Sequence, residues 1–299
     1  RGPVWKAIAE QAEAKIDRHP PLHLALIAHA FGKVAVRDEA FLCGPLADAA
    51  LENLSGFREK HLACLLDGFA LAGCYREDLF RQAMDAYILL GRIGGRRRQQ
   101  MMARVAISAT LEAPELIAGA PPSWQAVLGR AETLRPWAPY RPYHDELSAC
   151  AHALSVRAKV RRRKGPYSAD LLVQLPEEVE GDVGDATALA VHLYPEAEVC
   201  PLTGEFLGKA RLRQRHLALM RWLPLRLSRR AWLELPSSDA RADALAAVLA
   251  PYVRTVRRPF PELPGSEEPP MLPPPSWAPV PELPARGQAQ GLDDSDRGV

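Results

Sequence analysis

Four cations recur at helical spacing in one stretch, LGKARLRQRHLALM at 207–220. Lys209 and Arg213 stand four residues apart, as do Arg211 and Arg215, so each pair shares a face if the stretch is helical. Leu212, His216, Leu217 and Met220 then face inward. A cationic ridge over an apolar floor suits contact with phosphate, although the same pattern also describes a solvated charged face. Further cations flank the ridge: Arg161, Arg162, Arg163 and Lys164 before it, and Arg221, Arg226, Arg229 and Arg230 after it. Trp222 and Trp232 lie among them and either stack on bases or pack into the core.

Other constellations carry less. The stretch from Gly91 through Gly94 and Gly95 to Arg98 lacks the lysine and hydroxyl that end a phosphate loop, and it does not follow a strand; it reads as a connection between helices with a basic rim. His144, Cys150 and His152 are close in sequence, but a zinc site needs a fourth ligand that nothing supplies. Five cysteines, an odd number without a CxxC pair, argue against a disulfide framework and for reduced thiols. There is no nucleophile elbow, HExxH helix or dinucleotide fingerprint. No metal or cofactor is expected.

The elements that must position these residues follow from periodicity. LALIAHAFGKVAVRDEAFL at 24–42 lies over LACLLDGFALAGCYREDLF at 62–80 with an offset of 38 residues. Each unit has an apolar helical stripe, a short polar break and a second apolar helix, at 40–51 and 79–90. A weaker third copy runs over 99–118. Stacked helical pairs of this kind predict a short solenoid. Prolines at 114, 121, 122, 136, 139 and 142 interrupt it. Helix resumes near Asp145 and ends in the basic run 159–164, which Gly165-Pro166 closes.

Beyond that point the period shortens. Apolar runs at 169–175 and 189–194, separated by the acidic stretch 177–185, predict strands. The basic helix, a strand at 222–227, a turn of helix at 231–235 and a last helix capped by Ser238 complete a small α/β module. From Pro259 the chain is rich in proline, with PELP at 261 and 281, and predicts an extended segment. Three domains result: a helical-repeat domain at 1–156, an α/β domain at 157–256 and a Pro-rich acidic tail at 257–299.

A net charge of +2 hides an asymmetry: residues 157–230 hold 14 Lys or Arg against 9 Asp or Glu, and residues 259–299 hold 2 against 7. A polyanionic partner would therefore meet the α/β module, and the tail would seek a basic protein or fold back. No apolar run is long enough to span a membrane. The chain begins at Arg1 rather than Met, so a leader is expected to have been removed or residues to precede it.

From Tyr167 to Leu235 the residues resemble the RAP domain. The matching positions are Asp170 ahead of apolar residues, the run 189–193, Thr203-Gly204, Leu207-Gly208-Lys209, the stretch 211–217 and Ala231-Trp232. The helical units ahead of it are similar to those preceding this domain in FAST-kinase-like organellar RNA proteins. The resemblance implies a restriction-endonuclease-like fold, an organellar location and work on RNA. A nuclease of that type clusters carboxylates around a divalent cation and adds a lysine. Asp170 matches the first acidic position, but His192 stands where a second acid is usual, Tyr194-Pro195 replaces an acidic-Gly-Pro turn, and no lysine follows.

The expected protein is a non-catalytic RNA binder of the mitochondrion, or alternatively the plastid. Its RNA would be ribosomal or an organellar transcript. The most specific form is a stable component of the mitochondrial ribosome, its tail lying on neighbouring proteins of that assembly. An endonuclease using Asp170 with Glu178, Glu180 or Glu205 is one alternative; a processing or stability factor and a protein-only structural or assembly subunit are others.

Overall fold

In a computed structural model, residues 2–91, 95–129, 141–175 and 186–253 are described. The tail 257–299, the whole of the 177–185 stretch with Glu178 and Glu180, Gly94 and prolines 136 and 139 lie outside the described residues. The protein is mostly helical with one small mixed sheet, and residues 1–258 form one compact unit.

The helices of the first half are α1 (Gly2–Glu13), α2 (Pro21–Lys33), α3 (Glu39–Phe41), α4 (Ala47–Glu52), α5 (Glu59–Ala72), α6 (Glu77–Leu89), α7 (Arg96–Glu112) and α8 (Gln125–Leu128). Starts keep the 38-residue spacing: Pro21 and Glu59 open α2 and α5, and Glu39 and Glu77 open α3 and α6. The helix expected over 40–51 is broken between α3 and α4 by a wider turn at Leu42–Leu46, where Gly44 leaves helical geometry and Pro45 brings no N–H. Asp38 caps α3 by accepting from the Phe41 N–H at 3.1 Å. Leu24, Phe31, Leu62, Leu65, Phe69, Met84 and Trp124 pack a common core.

After α9 (Tyr143–Ala153) come β1 (Ala158–Lys164), β2 (Tyr167–Gln174), β3 (Ala188–Tyr194), α10 (Gly208–Leu219), β4 (Trp222–Ser228), α11 (Arg229–Glu234) and α12 (Ser238–Leu249). The strands lie in the order β1-β2-β3-β4, antiparallel except for β3 and β4, which α10 joins as a parallel crossover. Two expectations need correction. The basic run 159–164 is not the end of a helix but the edge strand β1, and Gly165-Pro166 is the turn of the β1–β2 hairpin, with Gly165 at φ 56°. Pairing with the buried strand β2 overrides the helix preference of Lys and Arg. The cap of α12 is Ser237, whose hydroxyl accepts from the Ala240 N–H, rather than Ser238.

The sheet faces differ in side-chain size. Leu171, Val173, Leu189, Val191 and Leu193 meet α9 and α12 through Leu147, Cys150, Leu245 and Leu249, so α9 belongs to the sheet's layers and not to the solenoid. Ala169, Ala188 and Ala190 with Leu172 and Trp222 meet Leu217 of α10, and these small residues let α10 lie close. The other side of α10 rests on α2, α5 and α7. Here three glycines meet. A Cβ on Gly208 would overlap the Gly32 carbonyl, and one on Gly68 would overlap the backbone of Ala28 and His29. Gly208→Ala should therefore lose about 2 kcal/mol or more in urea unfolding. Gly2→Ala, where an added methyl meets nothing, should be neutral in the same assay.

Candidate nucleic-acid interface

The four cations of α10 divide between two clefts at its junction with the helical half. Lys209 and Arg213 line a cleft of about 310 Å³ together with Arg96, Arg104, Tyr167 and Ser168. Arg211 and Arg215 line one of about 600 Å³ with Arg37, Tyr75, Glu112 and Arg226. The spacing expected from the sequence is real, but the ridge runs along a seam, with Lys209 and Arg211 exposed and Arg213 and Arg215 half-buried.

Two of the four cations are engaged inside the fold. Arg213 grips Glu198 with both terminal nitrogens at 3.1 and 2.6 Å. Arg215 binds Glu112 through Nε at 2.8 Å and donates to the carbonyls of Ala70 and Leu71, tying α10 to α5 and α7. Arg211 makes a surface pair with Glu205 at 3.2 Å. Lys209 makes no ion pair among the described residues. Burial pushes its amine pKa down, Arg104, Arg97 and Lys33 add to that, and Asp67 opposes it.

Two buried networks hold the seam. In the first, Glu112 receives Arg215 and the Tyr75 hydroxyl at 2.7 Å, and His216 Nε2 lies 3.1 Å from it. Burial alone would raise the Glu112 carboxyl, but His216, Arg215 and Tyr75 outweigh it and lower the pKa from 4.5 to about 2. The Tyr167 hydroxyl is 2.6 Å from His216 Nδ1, so the sheet joins the same network.

In the second network, His192 Nδ1 is 2.8 Å from Asp170 Oδ2 and its Nε2 is 3.7 Å from Glu198. Burial would lower the His192 pKa, yet the two carboxylates prevail and raise it. Asp170 also accepts the Leu193 N–H at 2.8 Å, and His144 Nε2 is 3.0 Å from its Oδ1. His144 Nδ1 accepts from the Arg141 N–H, so its Nε2 carries the proton toward Asp170. Burial raises the Asp170 carboxyl, but His192, Leu193 and His144 together hold it below its ordinary value. Asp170 thus joins two strands and a helix. No metal-holding group of three His, Cys, Asp or Glu exists among the described residues, and Cys150 and His152 face different surroundings, buried and exposed.

The other sequence-predicted residues fall into distinct places. Arg161, Arg162 and Arg163 are exposed on the edge strand, and the register sets Arg163 opposite Ser168 and Lys164 opposite Tyr167, at the rim of the smaller cleft. Lys164 donates to the Met220 carbonyl and sits over the Trp222 ring at 5.3 Å. Arg221 is exposed where α10 meets β4. Arg226 stacks on Phe206 at 4.6 Å. Arg229 donates to the Leu193 carbonyl and lies over Tyr143, and Arg230 pairs with Glu196 and Glu234. Trp232, expected to contact RNA, is buried at 1% exposure with its indole N–H on Glu146, so it cannot stack on a base; Trp222 is buried too.

Sequence reading missed Arg104 and Tyr167. Arg104 is clamped side-on by the fully buried Asp67, both contacts at 2.8 Å. A signal existed: Arg96, Gln100, Ala103, Arg104 and Ile107 share one face of α7, and all line the smaller cleft.

No family model matches the chain, and no curated protein matches it.

The networks fix two pH responses. Glu112 contributes stability above its ordinary value, lost as pH falls toward about 2. Glu112→Gln should lower stability by about 2 kcal/mol at neutral pH and flatten the acid limb of a Tm-versus-pH curve. His192, with its pKa raised above 6.5, contributes stability below that value and loses it as pH rises through its folded value. His192→Asn should remove the corresponding decline in Tm as pH rises above about 6.5.

Proposed function

We propose that this protein binds RNA through the phosphate backbone and does not cut it. The observation that carries the reading is the smaller cleft, which brings Arg96, Arg104, Lys209 and Arg213 together with no carboxylate in its lining, and whose Ser168 and Tyr167 pair across the hairpin with Arg163 and Lys164 of β1. Several cations converging on a groove with an aromatic wall suit a polyanion. Non-catalytic binding is supported by Asp170, whose two oxygens are taken by His144, His192 and the Leu193 N–H, a use that serves the fold.

The RAP resemblance refines this reading, and it rests on the quoted residues alone. The mixed sheet with helices on both faces is compatible with a nuclease-like module. The 38-residue spacing of helix starts supports a short helical repeat ahead of it. On that footing the protein is an organellar RNA binder, mitochondrial or plastid, and its RNA is ribosomal or an organellar transcript. A place in the mitochondrial ribosome is the most specific form. The engagement of Arg213 and Arg215 within the fold favours a second reading, a structural subunit that meets protein only.

Binding of a short single-stranded RNA at several salt concentrations separates these readings. The RNA reading expects measurable affinity that falls with salt. Replacing Arg162 and Arg163 together by Ala should reduce the slope of log K against log salt by about 1.4, two single-strand contacts' worth. RNA affinity absent even at low salt would transfer the assignment to the structural subunit.

A further inference from the structure

The smaller cleft differs from a surface track in size and in charge balance. At about 310 Å³ it is on the scale of one small ligand. Two of its cations are already neutralised: Arg213 by the bidentate pair with Glu198, and Arg104 by Asp67. Arg96 and Lys209 have no ion pair among the described residues, which leaves two positive charges uncompensated. An internal phosphodiester carries one negative charge, whereas a phosphate monoester carries nearly two at neutral pH.

We propose that this cleft is a site for a nucleotide phosphate monoester, and that in RNA it receives the 5′-phosphorylated end. This rests on the RNA reading and adds to it the part of the molecule that is recognised. Lys209 and Arg96 supply the charge that matches the dianion. Arg104 is preorganised, because Asp67 occupies its Nε and Nη2 and leaves Nη1 on a guanidinium that cannot swing away. Burial, with Arg104, Arg97 and Lys33 adding to it, holds the Lys209 amine below its ordinary pKa, and a dianion among these groups relieves the repulsion part of that. The Ser168 hydroxyl offers a neutral donor. Tyr167 and Ile107 give an apolar wall for sugar or base, and the Tyr167 ring is fixed because its hydroxyl is committed to His216.

The test measures binding of one short RNA, labelled at its 3′ end, with either a 5′-monophosphate or a 5′-hydroxyl, and titrates free AMP as ligand and competitor. The phosphorylated RNA should bind about tenfold more tightly, the worth of one or two charge-assisted contacts. That preference should largely disappear in Lys209→Ala and, separately, in Arg96→Ala, both of which alter exposed side chains. A preference that millimolar AMP leaves intact identifies the RNA end as the source of the monoester. AMP binding in its own right, lost in Lys209→Ala, supports the same site with a free nucleotide as its ligand. Equal affinity for the two RNAs with no AMP binding overturns the site while the RNA reading stands. Failure of both RNAs and of AMP overturns both.

Discussion

Gly208 lets the first turn of α10 come against the Gly32 carbonyl, and each cation of that helix takes its position from this approach. Small residues act on both sides of α10. Ala169, Ala188 and Ala190 lower the sheet surface beneath it, while Gly32 and Gly68 let α2 and α5 cross closely behind it. A larger residue at any of these contacts would lift the helix and separate Arg213 from Glu198 and Arg215 from Glu112. The clefts are the spaces left on either side of a helix seated this way, so their charge is a consequence of packing geometry.

Electrostatics alone would oppose the arrangement. Lys209, Arg213, Arg96, Arg97 and Arg104 gather at one junction, and self-repulsion in a partly buried site would open it. Asp67, Glu112 and Glu198 counter this, each inside the fold and each hydrogen-bonded by an arginine. Glu112 and Glu198 are both held down to about 2, because the cations around them outweigh the penalty of burial. Breaking one such pair strands a buried charge, which is why the loss exceeds what the pair itself contributes.

The parts of this structure that are local in sequence were legible in it. The basic helix announced itself through two i, i+4 cation pairs above Leu212 and Leu217, and the strands β2, β3 and β4 on either side of it through short apolar runs. Partners distant in sequence were not. Asp67 on α5 and Arg104 on α7 have all of α6 between them, and Arg215 finds Glu112 across the two halves of the chain. Composition assigns both arginines to a charged surface; only the fold shows which are spent. The run at β1 misled because consecutive cations erase the alternation that marks a strand, leaving Val160 as the lone apolar cue between Lys159 and Lys164. Asp170 is ambiguous in another way. Its place matches a catalytic position, yet a carboxylate at a strand junction also accepts N–H groups, and sequence does not separate the two uses.

That dual use extends to the whole seam. A helix whose arginines were all exposed would bind phosphate with mobile side chains and lose their freedom on contact. Here Asp67 fixes Arg104 and Glu198 fixes Arg213 before any ligand arrives, and the cations without a carboxylate, Lys209 and Arg96, stand beside them. The carboxylates reduce total charge but supply order, so the attraction that remains is directed into one cleft and not spread over a face. Stability and recognition therefore share residues: Asp67, which ties α5 to α7, and Glu198, which ties the segment after β3 to α10, also decide how much positive charge a ligand meets.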